Sequence, residues 1–373
     1  MMMTIYVIVV LLVLNVLLFK CSCNDNGKKN TFITNGLAYY PKLLVILLIS
    51  IYSCGCVHSQ TKKIHLIDYE VLEAQKSLIE KGDEKAVKHY IQLIKKADSL
   101  ITVDGFSVVN KTGLPPSKNK HDYMSIGPYW WPNPETPDGL PYIRKDGEIN
   151  PETRNKYTDF TELENFFLAV NILKNAFYYS DDKKYANKNL ELINFWFLNE
   201  LTKMNPNVNF GQSIPGKNDG RCFGIIEFGG LTKIIEFLEL ARDKDVLNKD
   251  IEEGIFIWFT EYANWLKNSK LGVEEATRKN NHGTHYDVQL LSILLYLNKV
   301  EEVKNYLSTT TTTKARIFGQ IEPDGSQPLE LARTKSFTYS VMNLHGFLEL
   351  ATLGQKVGVD LWNEASEDGR SIK

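Results

Sequence analysis

Apolar positions recur at helical spacing along almost the whole of residues 68–353. Asp83 is placed to cap a helix, and behind it Val87, Tyr90, Ile91, Ile94 and Ala97 fall on one face. Leu163, Phe166, Phe167, Val170, Leu173 and Phe177 repeat the pattern, and so do Leu190, Ile193, Trp196 and Phe197. Leu231, Ile234, Ile235 and Leu238 follow, then Ile251, Ile255, Trp258, Phe259 and Tyr262. Further helices are predicted over 288–297 and 337–353, and no stretch shows the alternation of a half-buried strand. Many helices joined by short loops predict an all-α fold of stacked antiparallel hairpins, whose natural closed form is an α/α barrel, or toroid. A superhelical solenoid is the open-ended alternative, but no fixed repeat period is visible.

Two stretches interrupt the helical pattern. Residues 105–157 are rich in Pro, Gly and aromatics, and residues 203–225 in Asn and Gly. Long irregular segments within a compact domain are usually functional. The threonine run 309–313 reads as a connector. The N-terminus follows different rules. Residues 5–19 are apolar except Asn15, and a second apolar run, 43–52, follows Lys42. The second run reads as a signal peptide, with small residues at Val57 and Ser59 suiting cleavage before Gln60. Cys54 or Cys56 as a lipid-modified residue is the alternative. The first run reads as an over-extended gene start, or as a membrane segment followed by cytoplasmic lysines. The expectation is a leader over 1–59 and one exported domain over 60–373, periplasmic or secreted. Any membrane contact would be through the leader or a lipid anchor. The chain stops soon after a turn at Asp368 and Gly369, which reads as a truncation ahead of a further helix.

Composition narrows the function. With 43% apolar and 24% charged residues the chain is globular. Its net charge of −2 gives no basic footprint for nucleic acid. A polyanionic substrate would have to be met by a local cluster of Arg, Lys and His. Of five cysteines, Cys21, Cys23, Cys54 and Cys56 lie in the leader, so Cys222 is left without an internal disulfide partner.

Three blocks carry candidate chemistry. The first contains His121, Asp122, Tyr123, Tyr129, Trp130, Trp131, Tyr142 and Arg144 among prolines. Its rings suit stacking on sugars, or equally pinning the loop to the core. The second is the run Asn280-Asn281-His282-Gly283-Thr284-His285-Tyr286-Asp287. Two histidines three apart could share a metal on one helical face, but no third ligand is evident and Gly283 argues against a regular helix. An Asn–His pair also suits a site that grips a carboxylate. The third block runs from Gln320 through Gln327, Glu330, Arg333 and Lys335 to Tyr339. On one continuous helix Arg333 and Tyr339 would point ~240° apart, at ~100° per residue. They converge only if a helix starts between them, for which Thr334 or Ser336 would be the N-cap. Tyr339 would then lie in the first turn, where the helix dipole and Arg333 favour a phenolate. The bland reading pairs Arg333 with Glu330 and buries Tyr339.

Together these blocks resemble the alginate lyase family of polysaccharide lyases over most of residues 65–373, most specifically at 123–132, at Asn281-His282-Gly283 and at 327–339. The resemblance implies an α/α barrel and an enzyme cleaving alginate or another acidic polyuronate by β-elimination without a metal or other cofactor. It assigns Asn281, His282 and Arg333 to carboxylate neutralisation and Tyr339 to proton transfer. Tyr123, Tyr129, Trp130, Trp131, Arg144, Arg221, His285, Gln327 and Lys335 complete the candidate substrate-binding set. In one place the chain departs from the family pattern: where a second histidine often follows the segment 220–227, it has Gly229-Gly230. The chemistry fits the residue types, because removing a proton beside a carboxylate needs that charge neutralised, a base for the proton and an acid for the leaving oxygen. A glycoside hydrolase would instead need two flanking carboxylates, for which Asp122, Glu322, Asp324 and Glu330 are candidates. A non-catalytic sugar-binding protein would need the aromatic loop but not Tyr339.

Overall fold

The structure, a computed structural model, describes residues 66–308 and 315–373. The leader with its proposed signal peptide, and the threonine connector, lie outside the described residues. From Leu66 onward the chain is helical hairpins around one apolar core. Helices α1 (Tyr69–Glu80) and α2 (Glu84–Leu100) lead into α3 (Phe160–Ser180) and α4 (Lys183–Phe197). Then come α5 (Leu231–Asp243), α6 (Lys249–Asn268), the short α7 (Lys270–Ala276), α8 (Asn281–Tyr296), α9 (Val300–Ser308) and the long α10 (Ser336–Val357). Side chains start several of them. Asp83 accepts from the Ala86 N–H at 2.9 Å as the sequence predicts, and Asn248 accepts from Ile251 at 2.8 Å. Each satisfies a backbone donor that the helix itself leaves unpaired.

α3 packs against α2, α4 and α5, and α8 packs against α5, α9 and α10. The predicted apolar faces are the buried ones in α3, α4, α5 and α6. In α2 the face is narrower than predicted. Ala97 is buried, but Ile91 is 61% exposed. α8 is the most enclosed helix, with nearly every side chain after Gly283 buried, His285 excepted. Gly283 lies inside α8 instead of breaking it, against the sequence expectation. A Cβ there would sit 2.1 Å from the Arg278 carbonyl and 2.7 Å from Arg316 Nη1, so the glycine permits close approach rather than a turn.

The two irregular stretches do contain strands, which the sequence did not show. β1 (Met124–Ile126) pairs in parallel with β4 (Phe210–Ser213), and β2 (Trp130–Trp131) pairs antiparallel with β3 (Ile143–Arg144). Elements of two to four residues are too short to register as alternation. The longer loop is held by a buried ammonium. Lys111 Nζ donates to the carbonyls of Val108, Lys120 and Asp122 at 2.6, 2.8 and 2.9 Å, and it lies 3.0 Å from the Asp159 carboxylate. With both side chains fully buried, each charge is acceptable only because the other is present.

Candidate active site

The segment 327–339 is a turn of helix, Pro328–Leu331, followed by an irregular link and then α10. A helix therefore does start between Arg333 and Tyr339, and the two side chains meet. Arg333 Nη2 donates to Tyr339 Oη at 2.9 Å, and its guanidinium lies 3.9 Å from the Tyr339 ring centre. The N-cap is Lys335, not Thr334 or Ser336, and no side chain caps the helix. Thr334 is otherwise engaged, donating its hydroxyl to Asp146 Oδ2 at 2.9 Å. Arg333 does not pair with Glu330. It holds Asp146 through Nη2 at 2.8 Å and Nε at 3.3 Å. Arg144 reaches the same carboxylate at 2.5 Å. The Arg333 bond and the Thr334 donors hold the Asp146 carboxyl far below the usual carboxylate range.

Tyr129, from the long loop, places its hydroxyl 2.5 Å from Tyr339 Oη. Tyr339 lies in the first turn of α10 as expected, yet its phenol is pushed up rather than down. Burial dominates, the Tyr129 hydrogen bond adds to it, and Arg333 only partly opposes. Tyr339 is thus held as a neutral phenol between a second phenol and a guanidinium.

Asn281 and His282 open α8. His282 Nδ1 is 2.6 Å from Glu275 Oε1, a carboxylate on α7 that is fully buried. The imidazole sets its edge against Phe223, with ring centres 4.5 Å apart. Asn281 is buried, and its amide nitrogen donates to both oxygens of Glu330 at 2.8 Å while its backbone N–H donates to Oε1 at 2.7 Å. Glu330 stands three residues before Arg333, so this contact ties the His282 end of the site to the Arg333–Tyr339 end.

A basic, aromatic margin adjoins these groups. Lys217 lies 4.6 Å from the Trp130 ring centre and Lys145 lies 4.9 Å from that of Trp131. Arg221 and Arg278 lie 4.8 and 4.6 Å from the Phe223 ring centre. Arg221 also donates to Gln212 O at 2.7 Å, which fixes its direction.

Residues 107–373 match the alginate lyase family. The chain belongs to that family. A crystal structure of an alginate lyase from Bacteroides ovatus is similar to it at 39% identity, covering 83% of this chain and 80% of that one with a TM-score of 0.76. Alginate lyase A1-III from Sphingomonas species A1 shares the fold at 14% identity, over 83% of this chain and 75% of that one, with a TM-score of 0.50. A variant of A1-III complexed with a tetrasaccharide aligns at 15% identity, over 85% and 76% of the two chains, with a TM-score of 0.52. No curated protein matches. The protein is a polysaccharide lyase with the α/α toroid fold of these enzymes.

Several residues predicted to touch substrate in this lyase are engaged elsewhere. Tyr123 is fully buried and donates to Glu227 Oε2 at 2.9 Å, so the loop-pinning reading holds for it. Burial pushes the Glu227 carboxyl up to about 7. His285 packs between α8 and α10, and its Nε2 donates to the Met342 carbonyl at 3.1 Å. Burial lowers His285 to about 4, keeping it neutral. The two histidines of the second block thus face different partners and do not converge as ligands. Among the described residues no group of three or more His, Cys, Asp or Glu is arranged to hold a metal ion. Gln327 accepts from Asn343 at 2.8 Å and donates to Ser340 O at 3.2 Å, so it braces α10. Lys335 is exposed at the start of α10, and Arg144 is half exposed beside Asp146. The sequence reading missed Asp146, Glu275, Phe223 and Arg278. The Asp146-Gly147 turn after Arg144 was the one legible hint. Gly147 has φ +79°, and a Cβ there would lie 2.4 Å from Thr334 Oγ1.

Proposed function

We propose that this lyase cleaves alginate or a related polyuronate by β-elimination without a metal, with Tyr339, Arg333 and His282 carrying the reaction. The supporting observation is the convergence of the Arg333 guanidinium and the Tyr129 hydroxyl on Tyr339 Oη, tied through Glu330 to the start of α8. Arg333 neutralises the uronate carboxylate, joined by His282 as an imidazolium where it is not the base, which lowers the cost of carbanion character at C5. Asn281, whose amide is turned onto Glu330, holds the start of α8 in place. A base removes the C5 proton, the C5–H electron pair becomes the C4–C5 double bond, the C4–O4 bond breaks and O4 takes a proton from the acid. Tyr339 as a neutral phenol fits the acid. Where the proton and O4 lie on the same side of the ring, as in mannuronate, Tyr339 serves both steps: its phenol proton first passes to solvent, the phenolate beside Arg333 takes the C5 proton, and the same oxygen delivers it to O4. His282 is the base where they lie on opposite sides, as in guluronate. Trp130, Trp131, Lys217, Lys145 and Arg221 form a margin that suits an anionic sugar chain.

The hydrolase reading is less well supported. Asp122 is tied to Asn205, Glu322 to Arg370, and Glu330 to Asn281, while Asp324 closes its own turn onto Ser326. Each of these carboxylates is already committed to a neighbour of its own. For a polymer that does not enter cells, the work site would be periplasmic or extracellular, with residues 1–59 as the export leader. The test is to incubate the protein with mannuronate-rich alginate, guluronate-rich alginate and glucuronan, with and without EDTA. Ultraviolet-absorbing unsaturated ends should appear on at least one polymer and survive the chelator. New reducing ends without ultraviolet absorbance would mean hydrolysis, and loss with EDTA that a divalent cation restores would mean a metal.

A further inference from the structure

The Glu275–His282 contact has more to say than its length. Glu275 comes from α7, reaches past the turn before α8 and is fully buried. A carboxylate can only accept, so the ring nitrogen facing it, Nδ1, carries the hydrogen at 2.6 Å whether the imidazole is neutral or charged. In the neutral ring Nε2 then holds a lone pair and faces away from Glu275. The edge contact with Phe223 limits rotation of the ring.

The other charged or titratable groups around the ring do not compete for this role. Arg221 and Arg278 lie against Phe223, 4.8 and 4.6 Å from its ring centre, and spend their hydrogen bonds on Gln212, Cys222 and Glu274. Burial pushes the Cys222 thiol up to about 12, so it is neutral. Glu330 is engaged by Asn281. His285, on the same helix, stays neutral down to about 4. Among the described residues Glu275 is therefore the anion in hydrogen-bond contact with His282, placed to stabilise the imidazolium that forms when the ring takes a proton.

We infer that Glu275 is a positioning residue that holds His282 in the Nδ1–H tautomer, with Nε2 presented as the acceptor of the C5 proton at guluronate linkages. The inference rests on the elimination chemistry proposed above. In that step the C5–H bond breaks toward His282 Nε2, the electron pair forms C4=C5, and O4 leaves with the Tyr339 proton. Glu275 gains and loses nothing.

Two measurements on the full chain test it. The first needs no variant beyond an assignment control. With 15N-histidine labelling above neutral pH, the resonances lost in His282→Ala should show a protonated Nδ1 and a bare Nε2, and a protonated Nε2 with a bare Nδ1 overturns the inference. The second is Glu275→Gln, whose amide can donate to Nδ1 and so reverse the tautomer. Turnover on guluronate-rich alginate should fall about 10- to 100-fold, the scale for losing an orienting partner. KM should stay nearly unchanged and mannuronate-rich alginate should be affected far less. The acid limb of kcat/KM on guluronate should move to lower pH because the anion behind the imidazolium is gone, and Glu275→Asp should recover part of the rate. Equal losses on both polymers that track a lower Tm, with the acid limb unmoved, reduce Glu275 to a structural group. A wild type inert on every polyuronate sinks the functional reading itself. A wild type that cleaves guluronate-rich alginate and is matched by Glu275→Gln sinks only the positioning role.

Discussion

The two ends of the site are built differently. Behind His282 the supporting groups are sealed in helices: Glu275, Asn281 and Glu330 are all essentially inaccessible and come from α7, α8 and the turn at 328–331. Around Tyr339 the support is shallower and comes partly from loop. Asp146 and Arg333 keep about a fifth of their side-chain surface exposed, and Tyr129, Arg144 and Asp146 all belong to the stretch 105–157. Burial makes the first end expensive to disturb, since an unpaired polar group there loses hydration without compensation. The second end is closer to solvent, where an ion pair adds little stability and its value lies in aiming a guanidinium. Damage at the His282 end should therefore appear in folding as well as rate, and damage at the Tyr339 end in rate almost alone.

The sharpest way to break this contrast is Tyr339→Phe. The ring stays and the hydroxyl goes, so Tm should hardly move. Turnover on the best polymer should fall by about 10²–10⁴-fold, the scale for one acid–base group, and toward the upper end where Tyr339 serves both steps. A folded variant with near-normal turnover would end its role. Next is Glu330→Gln, which replaces the acceptor of three Asn281 bonds with an amide that can accept at only one oxygen. Denaturant titration should show roughly 1–3 kcal/mol of lost stability. No change would mean that the buried end is not the braced one. Asp146→Asn comes third. With the exposed pair weakened, stability should be nearly constant, while kcat/KM should fall about tenfold as Arg333 loses its alignment, or about 1.4 kcal/mol of transition-state stabilisation. A Tm loss as large as that of Glu330→Gln would erase the distinction.

The smallest effect concerns His285. Its folded value of about 4 lies below the ordinary 6.5, so between those values the unfolded chain binds a proton that the folded chain refuses. Its share of stability is complete above about 6.5 and is lost as pH falls through about 4. Its resonances should titrate near 4, and His285→Asn should flatten the stability slope in that window. A midpoint at the ordinary value would mean that the ring is exposed.

Much of the scaffold was readable in the sequence because burial imposes a period. The faces of α3 to α6 and the Asp83 cap follow directly from spacing and residue type. So does the need for a helix to begin between Arg333 and Tyr339. What escaped was partner choice. Tyr123 and Tyr129 are six residues apart in one aromatic loop, yet one is buried on Glu227 and the other meets Tyr339. Composition does not distinguish them, because both contacts are made across more than a hundred residues. Glu275 precedes His282 by only seven residues, but the turn between α7 and α8 breaks the helical register that would have predicted the pairing. Gly283 was misread for a related reason. Its missing Cβ is visible in the sequence, but the Arg278 carbonyl and Arg316 that need the space are not.

The Lys111 clasp gives the loop that delivers Tyr129 a cross-link of an unusual kind. Cys222, buried and free, is the only cysteine among the described residues, so no cystine can staple this segment to them. One ammonium instead draws together three carbonyls and a carboxylate from positions 108 to 159. Such a joint needs no oxidant to form and no reductant can open it, so the loop keeps its shape on either side of a cell envelope. Its vulnerability lies in the amine: acylation of Lys111 would cancel the charge and strand Asp159 in the interior.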